Sequence, residues 1–154
     1  MLFFQIFFAL AVAILAAAET HTIHFDNACG RGTPVIYQNF KQLHSGPGDY
    51  TFQGEARSVI AFLQTGNCGA NGEGCTMVEF TLVNGGQVSS TDVTLIPPHT
   101  FSVATGFGYY NGCDGVGNNC QSANCPGAFH QTGDYGAQRQ CVHDNVNLAI
   151  TFCK

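Results

Sequence analysis

Glu79 and Asp92 are the two residues of this chain whose types and spacing suit acid–base work on a sugar. A glycosidase needs one carboxyl that keeps its proton and another that is ionised, and two carboxyls held close together tend toward that state because they resist ionising at once. Close placement suits a retaining geometry, whereas inverting pairs stand roughly 6.5 to 9.5 Å apart. Without any chemistry, the same two groups can accept hydrogen bonds from sugar hydroxyls.

The elements around them set that closeness. Both acids lie in CTMVEFTLVNGGQVSSTDVTLI, residues 75–96. Val78, Phe80 and Leu82 alternate with Met77, Glu79 and Thr81, and Val93 and Leu95 alternate with Asp92 and Thr94, so each half reads as a half-buried strand. Gly85-Gly86 supplies the positive φ that a tight hairpin turn needs, and a turn centred there sets Val78 against Val93 and Glu79 against Asp92. Directly opposed Cβ atoms stand about 5 Å apart, where like charges repel. The plain alternative is two solvated carboxylates on an outer face, since a one-residue slip would separate them.

A second group of candidates is aromatic. Phe107, Tyr109 and Tyr110 stand among Gly106, Gly108 and Gly112, a composition more open than a core strand, and aromatic rings on loops serve as stacking faces for sugars. Packing of at least one ring into the interior is the competing reading. Metal chemistry is not supported: there is no CxxC or HExxH, and the six histidines are scattered. No metal and no cofactor are expected.

Residues 2–18 are apolar apart from Gln5 and end in Ala16-Ala17-Ala18, which reads as a signal peptide cleaved before Glu19. The run is short for a membrane span, and no second apolar run follows. Residues 19–154 form the expected mature domain, secreted to the extracellular space or cell wall and monomeric. With a formal charge of -5 and only 10% charged residues, nucleic acid is excluded as a natural partner. Eight cysteines, all past the leader, read as four disulfides, though their pairing is open among on the order of a hundred combinations. Nineteen glycines and no tryptophan accompany many short alternating runs, and the fold class is all-β. Among these runs, Thr22–Asp26 opens the domain, Ser58–Thr65 reads as a central strand, and residues 146–152 close it. The stretch Leu43–Gly48 reads as a turn, Thr100–Val103 as extended, and residues 66–75 as a glycine loop in need of a staple.

Several segments in order resemble thaumatin-like proteins: HTIHFDNAC, LHSGPGDYTF, FLQTGNCG, CTMVEFTLVNGG, STDVTLI, GCDGVGNNC and VNLAITFC. The chain is most similar to short secreted fungal members that lack most of the family's cysteine-rich second domain. The resemblance implies a sandwich of two antiparallel sheets and four disulfides, Cys29–Cys153, Cys68–Cys75, Cys113–Cys141 and Cys120–Cys125. It also implies an acidic cleft built from an arginine, a glutamate and three aspartates. The glutamate falls on Glu79 and the first aspartate on Asp92, the pair the hairpin singles out. The arginine falls on Gln64, the next aspartate on Pro97, and the last has no counterpart.

The resulting expectation is a secreted protein that binds β-1,3-glucan or another neutral wall polysaccharide, with an antifungal or wall-associated role. Glu79, Asp92 and Gln64 would supply the polar contacts and Phe107, Tyr109 and Tyr110 the stacking faces. Two alternatives stand beside it: a weak endo-β-1,3-glucanase with Glu79 and Asp92 as its catalytic pair, and a secreted interaction protein with no glucan affinity.

Overall fold

A computed structural model describes residues 18–154, so the expected signal segment lies outside the described residues except for Ala18. Twelve strands are described: β1 (Thr20–Asn27), β2 (Thr33–Gln38), β3 (Lys41–Ser45), β4 (Tyr50–Gln53), β5 (Ala56–Gln64), β6 (Met77–Leu82), β7 (Ser89–Thr94), β8 (Thr105–Tyr110), β9 (Gly117–Cys120), β10 (Ala128–Phe129), β11 (Arg139–Cys141) and β12 (Asn147–Phe152). One 3-10 turn, Tyr135–Ala137, is the only helical element among the described residues. One sheet has the order β4-β1-β12-β8-β9 and the other β10-β7-β6-β5-β2-β3, with β11 also pairing β7. Alternation decides which side chains meet between them. Ile23, Phe25, Phe107, Leu148, Ile150 and Phe152 from the first sheet pack against Val59, Ala61, Leu63, Val78, Phe80 and Val93 from the second.

The sheets are antiparallel except at two places, where the expectation is corrected. β1 runs parallel to β12 and β10 parallel to β7. For the first pair the cause is visible in the cysteines. Cys29 stands two residues beyond the trailing end of β1 and Cys153 directly after that of β12, and their bond, with Cα atoms 5.1 Å apart, requires those two ends to lie side by side. On the chain-entropy model, closing a loop with a sequence separation of 124 stabilises the fold by about 5 kcal/mol. The other disulfides are Cys68–Cys75, Cys113–Cys141 and Cys120–Cys125, so all four are the pairs the resemblance implies.

Two local readings also change. Leu43 and His44 lie within β3, because the chain already reverses at Asn39 and Phe40, both at positive φ (50° and 62°). Residues 100–103 are not a strand: Thr76 and Ser102 bond each other's backbone N–H through their hydroxyls at 3.1 and 2.9 Å, in place of a ladder.

Candidate functional site

The β6–β7 hairpin has the register its turn dictates, with Met77 opposite Thr94, Val78 opposite Val93 and Glu79 opposite Asp92. Gly85 and Gly86 take φ of 71° and 74°, as the turn requires. The tip is tied down by Asp144, whose carboxylate accepts from the Gly85 N–H at 2.8 Å, and by Glu19, which accepts from the Asn84 N–H at 2.9 Å. With the register locked, Val78 and Val93 go to the core and the two acids to the outer face.

Glu79 is also paired on its other side. Ile60 of β5 lies opposite it, Tyr37 of β2 lies opposite Ile60, and Gln42 of β3 lies opposite Tyr37. Gln42, Tyr37, Ile60, Glu79 and Asp92 therefore form one row across five strands. A row of hydroxyls runs along one flank, from Ser58, Thr81 and Ser90. On the other flank the stapled glycine loop covers Phe62 and Met77. Gly72 lies so close to them that a Cβ there would sit 3.1 Å from the Phe62 ring and 3.2 Å from the Met77 sulfur. His99 holds this loop by donating from Nδ1 to the Gly72 carbonyl at 2.9 Å.

The acids do not share one environment. Glu79 is exposed, whereas Asp92 is only 9% exposed although both point outward. The difference comes from the late disulfide-rich segment, which the sequence left without a role. Its strands β10 and β11 pair with β7 on the side away from β6 and build a wall beside Asp92. Cys113–Cys141 and Cys120–Cys125 order that wall, and Asn118 pins it by donating to the carbonyls of Gly127 and Ala137 at 2.7 and 3.0 Å.

Burial, with the Glu79 charge adding to it, pushes the Asp92 carboxyl up to about 7, and the Gln138 amide acts in the opposite direction. Loss of water raises Glu79 as well, while His99 acts electrostatically in the opposite direction. With the Glu79 charge beside it, Asp92 holds its proton up to about 7. Together they line a cleft of about 260 Å³, open to solvent, with Ser58, Ile60, Thr81 and Ser90. That arrangement offers one carboxyl able to donate, one carboxylate able to accept, and three hydroxyls able to do either.

The remaining candidates do not converge on this cleft. Gln64 ends β5 and serves the glycine loop, donating to the Cys68 carbonyl at 3.0 Å and accepting from the Gly66 N–H at 2.8 Å. Phe107 and Tyr109 are corrected as stacking faces, because alternation along β8 turns both into the core, at 5% and 3% exposure. The Tyr109 hydroxyl is 3.0 Å from both the Thr91 hydroxyl and the Arg139 carbonyl, and burial pushes its pKa up to about 12. Tyr110 points outward but from the opposite sheet, into a shallow groove with His24, Asp49 and Ala149. Gln138, His99 and Ile60 are site residues that sequence reading did not find. Ile60 was within reach, since extending the hairpin register by one strand places it beside Glu79. The other two come from segments without periodicity. Among the described residues, no group of three or more His, Cys, Asp or Glu is placed to hold a metal ion.

No family model matches the chain. A thaumatin-like pathogenesis-related protein 2 from Avena sativa is 29% identical over 171 aligned positions, which span 96% of this chain and 95% of that protein. The thaumatin-like xylanase inhibitor TLXI shares the fold at a TM-score of 0.56 and 18% identity, over 86% of this chain and 99% of the inhibitor. The fold is thaumatin-like. The protein elicitor MoHrip2 from Magnaporthe oryzae is a further structural neighbour, at a TM-score of 0.51 and 11% identity, over 89% of this chain and 100% of the elicitor. Each match runs nearly the whole length of the other protein.

Proposed function

We propose that this protein is secreted and binds a neutral wall polysaccharide, with β-1,3-glucan the first candidate, through the cleft of Glu79 and Asp92. The observation that carries the reading is the cleft itself: two directly opposed carboxyls, Asp92 with its pKa pushed up to about 7, on a floor flanked by hydroxyls, with no Lys or Arg among the residues that line it. Sugar hydroxyls both donate and accept, and this lining can answer both. An anionic ligand would meet the charge of Glu79 at close range, with no Lys or Arg in the lining to offset it. The pathogenesis-related, xylanase-inhibitor and elicitor descriptions of the similar proteins are in keeping with a defence or wall setting.

The elevated Asp92 favours a second reading, a weak endo-β-1,3-glucanase. In that case Asp92 would pass its proton to the glycosidic oxygen as the bond to the anomeric carbon breaks, and the Glu79 carboxylate would form the ester at that carbon. Asp92, now ionised, would then take a proton from the water that releases the sugar. Against turnover stands the open cleft, which leaves the reacting centre wet. A pull-down on insoluble β-1,3-glucan, with cellulose and chitin as controls and a reducing-sugar assay on the same fraction, separates the readings. Retention on glucan without sugar release is expected. Sugar release that vanishes in Glu79→Gln would establish the enzyme, and no retention on any of the three polysaccharides would leave a protein-directed role.

A further inference from the structure

The cleft does not end at Glu79. Past Ser58 and Ile60, which line both, it continues into a second hollow of about 300 Å³ bounded by Tyr37, Phe40, Asn71 and His99. From Asp92 to Tyr37 the cross-strand row covers three strand spacings, about 14 Å. A trough of that length fits an extended chain better than a single sugar.

Phe40 is the residue that the fold does not explain. It sits at the tip of the β2–β3 hairpin, where Gln38 pairs with Lys41 and only Asn39 and Phe40 make the turn. Both central residues have positive φ, the pattern that favours Asn followed by Gly, and a phenylalanine is disfavoured in the second place. Its ring is 87% exposed, so folding gains nothing from its apolar surface either. Tyr37, by contrast, is held in place: its ring stacks on Phe62 with centroids 5.8 Å apart, and its hydroxyl donates to Gln42 at 2.6 Å. A fixed ring and a presented ring thus stand at the end of the trough away from Asp92.

We propose that Phe40 and Tyr37 form an aromatic subsite of the acidic cleft, so that an extended neutral glycan lies across the strands, hydroxyls on Glu79 and Asp92 and an apolar sugar face on Phe40. The inference rests on the polysaccharide reading above. The second hollow also has no Lys or Arg in its lining, and its Asn71 and Ser58 offer further polar contacts beside the rings. Aromatic rings bind the C–H face of a sugar without regard to its charge, which leaves direction and register to the acids.

The test uses soluble β-1,3-gluco-oligosaccharides of increasing length, titrated by calorimetry into the mature protein and its Phe40→Gly and Phe40→Trp variants, alongside thermal unfolding of each. Wild-type affinity should rise with length until the row is spanned. Phe40→Gly should melt at a higher temperature, because the turn favours glycine, yet bind the longer oligomers roughly five- to tenfold more weakly. Phe40→Trp should bind them as the wild type does. Undiminished binding in Phe40→Gly would overturn the subsite while leaving the polysaccharide reading in place. Weaker binding together with a lower melting temperature would show a structural role for the ring and overturn it too. A wild type that binds neither the oligomers nor insoluble polysaccharide would overturn both.

Discussion

Asp92 is where the electrostatics of the cleft reach the stability of the whole fold. Its carboxyl binds a proton more tightly when folded, at a pKa of about 7 against an ordinary value of 3.8. Between those values the folded chain holds more protons than the unfolded one, so this group's contribution is full at low pH and is lost as pH rises to and through about 7. Asp92→Asn removes that dependence. In urea unfolding the variant should match the wild type near pH 4 and exceed it by about 2 to 4 kcal/mol near pH 8. Equal stabilities at both values would mean that Asp92 ionises normally and that the cleft has no standing proton donor. The same titration bears on chemistry: any hydrolysis should fall as pH rises through about 7, since Asp92 would then have lost the proton it must give.

Among the elements, the β6–β7 hairpin was the most legible from sequence. Alternation and Gly85-Gly86 between them determine the register, and through it the opposition of Glu79 and Asp92. The wall beside Asp92 was not legible, because residues 113–141 are rich in Asn, Gly and Gln and carry no period to read. Their placement depends on two disulfides and on Asn118, and β10 and β11 are two and three residues long. The wall also accounts for why the two acids differ, since a hairpin alone would leave both equally open. Opening Cys113–Cys141 with a Cys113→Ser, Cys141→Ser double variant should loosen the wall, wet Asp92 and bring its pKa down toward the ordinary carboxylate range. A carboxyl-carbon NMR titration would show the change. A retained value near 7 would place the cause in Glu79 and the sheet instead of the wall. The aromatic segment misled for a related reason: Gly106 and Gly108 look like loop residues, but in β8 they alternate with Thr105, Phe107 and Tyr109, which fill the core.

On the scale of the whole molecule, the sandwich and its staples were readable, and the direction of the first and last strands was not. Periodicity shows that a strand has an inner and an outer face, but not which way its neighbour runs. Here the cysteines decide, by drawing the trailing ends of β1 and β12 together. The cleft was half readable in the same sense. Its acids come from one local hairpin, whereas Tyr37 and Phe40 reach it through non-local pairing of β2 with β5. The sandwich presents two outer faces, one with the acid row and one with the Tyr110 groove, and the proposed binding commits the glycan to the first. Backbone amide NMR on the mature protein, titrated with a soluble β-1,3-gluco-oligosaccharide, tests that commitment most directly. The largest shifts should fall on Ile60, Glu79, Thr81 and Asp92. Shifts gathered instead around His24, Tyr110 and Ala149, or none at saturating sugar, would contradict it.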